Sequence, residues 1–117
     1  MNIGDMTWSK TEKTIARQVF DRAYQEECAE LLAKVRQMAA AAQGPEDLWA
    51  ISDFLDSERR QVAEKYDYRY SQLIIVFSRL VREGRLTLDD LAGLREDKLE
   101  KIDGIANFNS RYKSRTL

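Results

Sequence analysis

Trp49, Asp53, Asp56 and Arg60 recur at steps of four, three and four, so on a helix they share one stripe. Leu48, Ile51, Leu55 and Val62 define the apolar face of the same segment, and Trp49 points about 140° away from their mean direction. A large aromatic therefore sits among opposite charges on the polar side. Arg59 and Ser52 fall on one margin of the apolar face. Trp and Arg are the residue types that dominate binding hot spots. Two readings stay open: Trp49 docks a partner, or it packs against a loop, another helix or a dimer mate.

Other chemistry is pruned quickly. The chain has no histidine, which excludes histidine general bases, Ser-His-Asp triads and histidine metal sites. Its one cysteine, Cys28, permits no intrachain disulfide and no cysteine zinc cluster. Cys28 falls in an apolar helical seam, so a buried, inert thiol is expected. Asp53 with Asp56, and Asp89 with Asp90, are carboxylate pairs of the kind used for acid–base work. In a chain with 33% charged residues, such pairs are expected mostly as solvated helix surface. No GxGxxG, GxxxxGK[ST] or HExxH pattern occurs. Lys65-Tyr66-Asp67-Tyr68-Arg69-Tyr70 alternates charge and ring, as a base-stacking strip does. A helix would fan these residues over different faces, with Tyr66 and Tyr70 in a core and Tyr68 at an interface. No enzymatic activity, cofactor or metal is expected.

The 117 residues suggest one domain with at most a small appendage. Nineteen basic against twenty acidic residues give a net charge of −1, so nothing argues for a nucleic-acid partner. The start of the chain lacks a signal-peptide layout. The longest apolar run, Leu73 to Phe77, is far short of the roughly 20 residues a membrane span needs. The expected location is cytoplasmic.

The elements that must position these residues read as helices. Ser9-Lys10-Thr11-Glu12 has capping-box spacing, and no Gly or Pro follows until Gly44-Pro45. One helix is expected from about Lys10 to about Gln43. Tyr24, Cys28, Leu31, Val35, Met38 and Ala42 form a heptad seam along it, with Leu32 and Ala39 as a flanking seam. Gly44-Pro45-Glu46-Asp47 ends one helix and starts the next, and so short a link makes antiparallel neighbours. The second helix is expected to run unbroken to Glu83, with Gly84 as its cap. That is about 38 residues, or over ~55 Å of rod, which needs a second subunit to cover it. Leu48, Ile51, Phe54, Leu55, Val62 and Tyr66 line its first half. Around Leu73–Phe77, Leu80 and Val81 it is apolar on every side, so buried all round; a short strand there is the alternative. Thr87 caps a short helix carrying Leu88, Leu91 and Leu94. A last helix, about Glu96 to Ile105, offers Leu99, Ile102 and Ile105. The fold class is thus all-α: a long antiparallel hairpin (1–83) that dimerises, and a small helical head with a frayed polar tail (84–117).

Ala23-Tyr24-Gln25, Leu31-Leu32-Ala33, Asp47-Leu48-Trp49, Asp53-Phe54-Leu55, Arg59, Lys65-Tyr66-Asp67, Arg69, Val76-Phe77 and Glu83-Gly84 together resemble the cyanobacterial fluorescence recovery protein family, from Trp8 to about Ile105. The resemblance implies an all-helical, non-enzymatic homodimer. It implies binding to the C-terminal domain of photoactivated orange carotenoid protein, release of that protein from the phycobilisome, and faster return to its orange state. The family's partner-binding patch maps onto Trp49, Asp53 and Arg59, with Lys101 as a further contact and Leu32 in the dimer interface. Ser52 stands where a known form has histidine, and Ile75 where it has a phenylalanine implicated in partner binding. The tail after Ile105 also departs from the family pattern. A peripheral position on the cytoplasmic face of the thylakoid is compatible with this. The rival reading is a generic hairpin dimer that scaffolds another complex.

Overall fold

The structure, a computed structural model, describes residues 3–108. Those residues contain four α-helices and no strand: α1 (Lys10–Ala41), α2 (Pro45–Lys65), α3 (Leu73–Arg82) and α4 (Glu96–Ala106), with 3-10 turns at Ile3–Asp5 and Leu88–Leu91. The capping box forms as its spacing demands. The Ser9 amide donates to Glu12 Oε1 at 3.0 Å and the Glu12 amide to Ser9 Oγ at 3.1 Å. Gly44 is extended and Pro45 opens α2, where its missing N–H costs nothing. Glu83 ends α3, and Gly84 follows with φ +80°, the left-handed step that lets the Arg85 amide reach the Leu80 carbonyl. Thr87 and Asp90 cap the second turn reciprocally.

The expected unbroken second helix is not there. It stops at Lys65, and Tyr66 takes φ −95° and ψ 71°. The chain then leaves helical geometry until Leu73, so the rod of over ~55 Å becomes α2 of 21 residues and α3 of 10. The tyrosines explain the break. On one helix they would fan apart; off it, Tyr68 meets Phe20 edge-on at 4.8 Å and Tyr70 reaches Trp8 at 5.9 Å. Arg17 lies 4.4 Å over the Tyr68 ring and Lys13 5.0 Å over Tyr70. Tyr68 is half-buried by these contacts, and Tyr70, expected in a core, is exposed. Burial, together with its hydrogen bond to Tyr70, pushes the Tyr68 phenol up to about 12. Asp67 and Arg69 pair across the same bend, with Arg69 Nε donating at 2.8 Å.

The described chain forms two compact units. They part after Ala23 and after Tyr66. In the unit made by the residues up to Ala23 and from Asp67, Ala16, Val19 and Phe20 of α1, Leu73, Ile74, Val76, Phe77 and Leu80 of α3, Leu91, Leu94, and Ile102 and Ala106 of α4 are buried. Leu73–Phe77 is helix, not strand, and Ile75 is its exception at 46% exposed. A buried ion pair ties this unit together. Lys98 Nζ lies 3.1–3.2 Å from the two Glu12 oxygens, and the Arg95 amide donates to Glu12 Oε2 at 2.9 Å. The Lys98 ammonium also sits 5.0 Å over the Trp8 ring. Burial raises the Glu12 pKa, but the Ser9 and Arg95 amides and Lys98 outweigh it and hold the carboxyl below its ordinary value. Asn107 caps α4; the remainder of the expected polar tail, from residue 109, lies outside the described residues.

Candidate interaction surfaces

The Tyr24–Tyr66 unit is built differently. Its buried side chains are Glu27, Val62 and Lys65, so Val62 is its one buried apolar residue. Glu27 gathers Lys65 Nζ and the Tyr66 hydroxyl, each at 2.7 Å, and Tyr24 packs edge-on against Tyr66 at 5.3 Å. The seam foreseen on α1 stays open: Tyr24 and Leu32 are exposed, and Cys28, Leu31, Val35 and Met38 are half-buried. On α2, Leu48 and Leu55 are exposed too, although both belong to the expected core face.

These residues line two adjoining hollows. One, of about 740 Å³, is bounded by Tyr24, Cys28, Leu31, Leu55, Val62 and Arg59 among others. The other, of about 300 Å³, adds Leu32 and Val35 and shares Cys28, Leu31 and Leu55. The neighbouring Cys28 thiol raises the pKa of the Tyr24 phenol. Cys28 is therefore half-buried in an open apolar groove and not sealed in a core.

On its other side α2 carries the polar stripe. Trp49 is 62% exposed. Asp53 is exposed one turn on, and Arg60 pairs with Asp56 beyond it. Arg59 does not share this stripe: it edges the apolar groove, as its place on the margin of the apolar face requires. Lys101 belongs to the other unit. With Arg82, Asp97, Glu100, Gly104, Ile105 and Phe108 it lines a separate hollow of about 810 Å³. Leu32 lies on the groove, and Ser52 and Ile75 are exposed. Of the carboxylate pairs, Asp56 is held by Arg60, and Asp90 by the Thr87 cap and by Arg22 at 3.2 Å. Hydrogen bonding from the Thr87 amide, with Arg22 nearby, lowers the Asp90 pKa. No group of His, Cys, Asp and Glu among the described residues could hold a metal ion, and no helix there is long and apolar enough to cross a membrane.

What the geometry offers is recognition surface: an unsupported indole beside charges, and an apolar groove without cover. A model of the photoprotection regulator fluorescence recovery protein family matches residues 8–106. The chain belongs to that family. It is 37% identical to the fluorescence recovery protein of Synechocystis sp. over 108 residues, which are 92% of this chain and 99% of the relative. Among solved structures, the Fremyella diplosiphon fluorescence recovery protein superposes with a TM-score of 0.81 at 40% identity, covering 86% of this chain and 99% of that one. The Synechocystis structure gives a TM-score of 0.81 at 39% identity, with the same coverage. The family is one of photoprotection regulators, which fits a chain whose candidate sites are surfaces for docking.

Two features had no local signal. Glu27 and Lys65 lie 38 positions apart, and Glu12 and Lys98 lie 86 apart. Only the capping role of Glu12 was legible, because it is written within four residues.

Proposed function

We propose that the chain is a non-enzymatic regulator that binds photoactivated orange carotenoid protein through that protein's C-terminal domain. It speeds the red-to-orange return and detaches the carotenoid protein from the phycobilisome, so antenna fluorescence recovers. The observation that carries this reading is the exposed Trp49 on the charged stripe of α2. A tryptophan left in water by its own subunit is an anchor awaiting a pocket.

In this proposal Trp49 and Asp53 grip the partner, Arg59 adds a cation at the groove edge, and Lys101 on α4 makes a further contact. The apolar groove with Leu32 is covered by a second copy, giving a homodimer. The open seam supports this, because a unit with one buried apolar side chain cannot hold two helices together by its own core. The regulator works at the cytoplasmic side, free or peripheral to the thylakoid. A helper shifts a conformational equilibrium only by binding two states unequally. To speed the return, it must bind the transition state between them more tightly than the red state.

The test mixes the protein with photoconverted orange carotenoid protein and follows the red-to-orange absorbance change in the dark. Acceleration is expected. Trp49→Ala should weaken partner affinity about 30-fold, the value of a 2 kcal/mol hot spot. Arg59→Leu should abolish the acceleration with dimer mass unchanged. Absence of any effect on carotenoid proteins from several sources would favour the scaffold reading, and full activity in Trp49→Ala would remove the α2 stripe from the account.

A further inference from the structure

The first turn of α2 is held by an acid outside the charged stripe. Gly44 heads the helix and has no side chain to cap it. Asp47 supplies a cap from inside the first turn: its Oδ2 accepts from the Gln43 amide at 2.9 Å. That amide lies beyond the end of α1 at Ala41, outside its helical ladder. The Asp47 amide in turn donates to the Gly44 carbonyl at 3.1 Å, and the Leu48 amide to the same oxygen at 3.3 Å. These bonds close across the link between the helices, much as the acid of a capping box fixes how a chain enters its helix. Little else secures this end of α2. Every residue from 43 to 50 is exposed. Val62, the buried apolar side chain of this unit, lies about 20 Å further along α2 than Trp49. Full burial therefore anchors the far end of the helix, not the end that carries the indole.

We propose that Asp47 is a positioning residue for Trp49: its carboxylate ties the start of α2 to the end of α1 and so holds the indole in the direction that meets the partner. Trp49 follows directly on the turn that Asp47 closes. If that turn frays, the indole samples many directions and binding must restore one of them. Apparent affinity then falls with the fraction of chains already in the competent geometry. A capping contact changes such a fraction about fivefold. Positions 47 and 49 stand about 200° apart around a helix, so Asp47 acts through the backbone of α2 and not as part of the indole stripe. The role given to Asp47 rests on the proposed function of Trp49; the cap itself does not.

The test measures the affinity of the full chain for photoconverted orange carotenoid protein, and the heteronuclear NOE of the Trp49 indole N–H in the free protein. Asp47→Ala should weaken binding about fivefold and lower the Trp49 NOE, with the Trp8 indole signal and the helical circular dichroism unchanged. Asp47→Asn keeps an acceptor oxygen without the charge and should restore both. Asp47→Ala/Trp49→Ala should bind no worse than Trp49→Ala alone, about 30-fold below wild type, instead of the ~150-fold that independent losses would give. Wild-type affinity in Asp47→Ala, an unchanged Trp49 NOE, or additive losses in the double variant would overturn the positioning role alone. So would failure of Asp47→Asn to rescue, since the charge at the helix start and not the cap would then be responsible. Full affinity in Trp49→Ala would overturn the proposed function of the α2 stripe and the role of Asp47 with it.

Discussion

Leu32→Glu should split the proposed homodimer while leaving each subunit folded. Leu32 is 50% exposed within its own chain and lines the apolar groove of the Tyr24–Tyr66 unit. Full burial of a leucine is worth about 1.5–3 kcal/mol, so covering the remaining half adds about 1 kcal/mol. A two-fold interface counts it twice. Leu32→Ala should then weaken the dimer by about 2 kcal/mol, roughly 30-fold in Kd. Leu32→Glu loses the same contact and also forces a carboxylate out of water in each copy, several kcal/mol apiece. The sum of about 6 kcal/mol or more is over ~10⁴-fold in Kd. Sedimentation velocity across a hundredfold concentration range reads the effect against the 13.6 kDa subunit mass. The wild type should sediment at twice that mass, Leu32→Ala should dissociate on dilution, and Leu32→Glu should stay monomeric with unchanged helical circular dichroism. If Leu32→Glu sediments like the wild type, the groove is not the interface.

Glu12→Gln should cost about 3–5 kcal/mol, because it leaves the Lys98 ammonium buried without its counter-charge; urea unfolding measures it, and adding Lys98→Met should recover most of the loss. The Glu12 pKa is lowered in the folded state, so its stabilisation is complete above the ordinary carboxylate value and vanishes as pH falls through the depressed one. Thermal melts of wild type should therefore lose stability through that acidic window, and Glu12→Gln should show less of the loss. Gly93 has φ +105°, and a Cβ there would collide with Ile15 Cδ1. Gly93→Ala should destabilise by about 1–3 kcal/mol, chiefly through the left-handed backbone, since the Ile15 methyl can swing aside, and Ile15→Ala should recover little of the loss.

Features written locally were readable from the sequence. The Ser9–Glu12 box, the Gly44-Pro45 junction, the glycine after α3 and the outward direction of Trp49 depend on neighbours three or four residues away, and each stands in the structure. The break after Lys65 was not readable. No Gly or Pro marks it, and every residue from Tyr66 to Gln72 tolerates a helix. Its cause is distant, in Phe20 and Trp8, which draw the tyrosines off the helical path. The same blindness covers Glu27, whose partners sit at the far end of α2. Periodicity put Leu48 and Leu55 on one apolar face, but it cannot say whether that face is covered, and within the chain both are exposed.

The chain has two tryptophans, and each compact unit holds one. Trp8 is enclosed beneath the Lys98 ammonium, whereas Trp49 stands in water. Their intrinsic emission should differ in colour and in accessibility to iodide, so one unlabelled sample can report the melting of each unit and the capture of a ligand by α2 as separate signals.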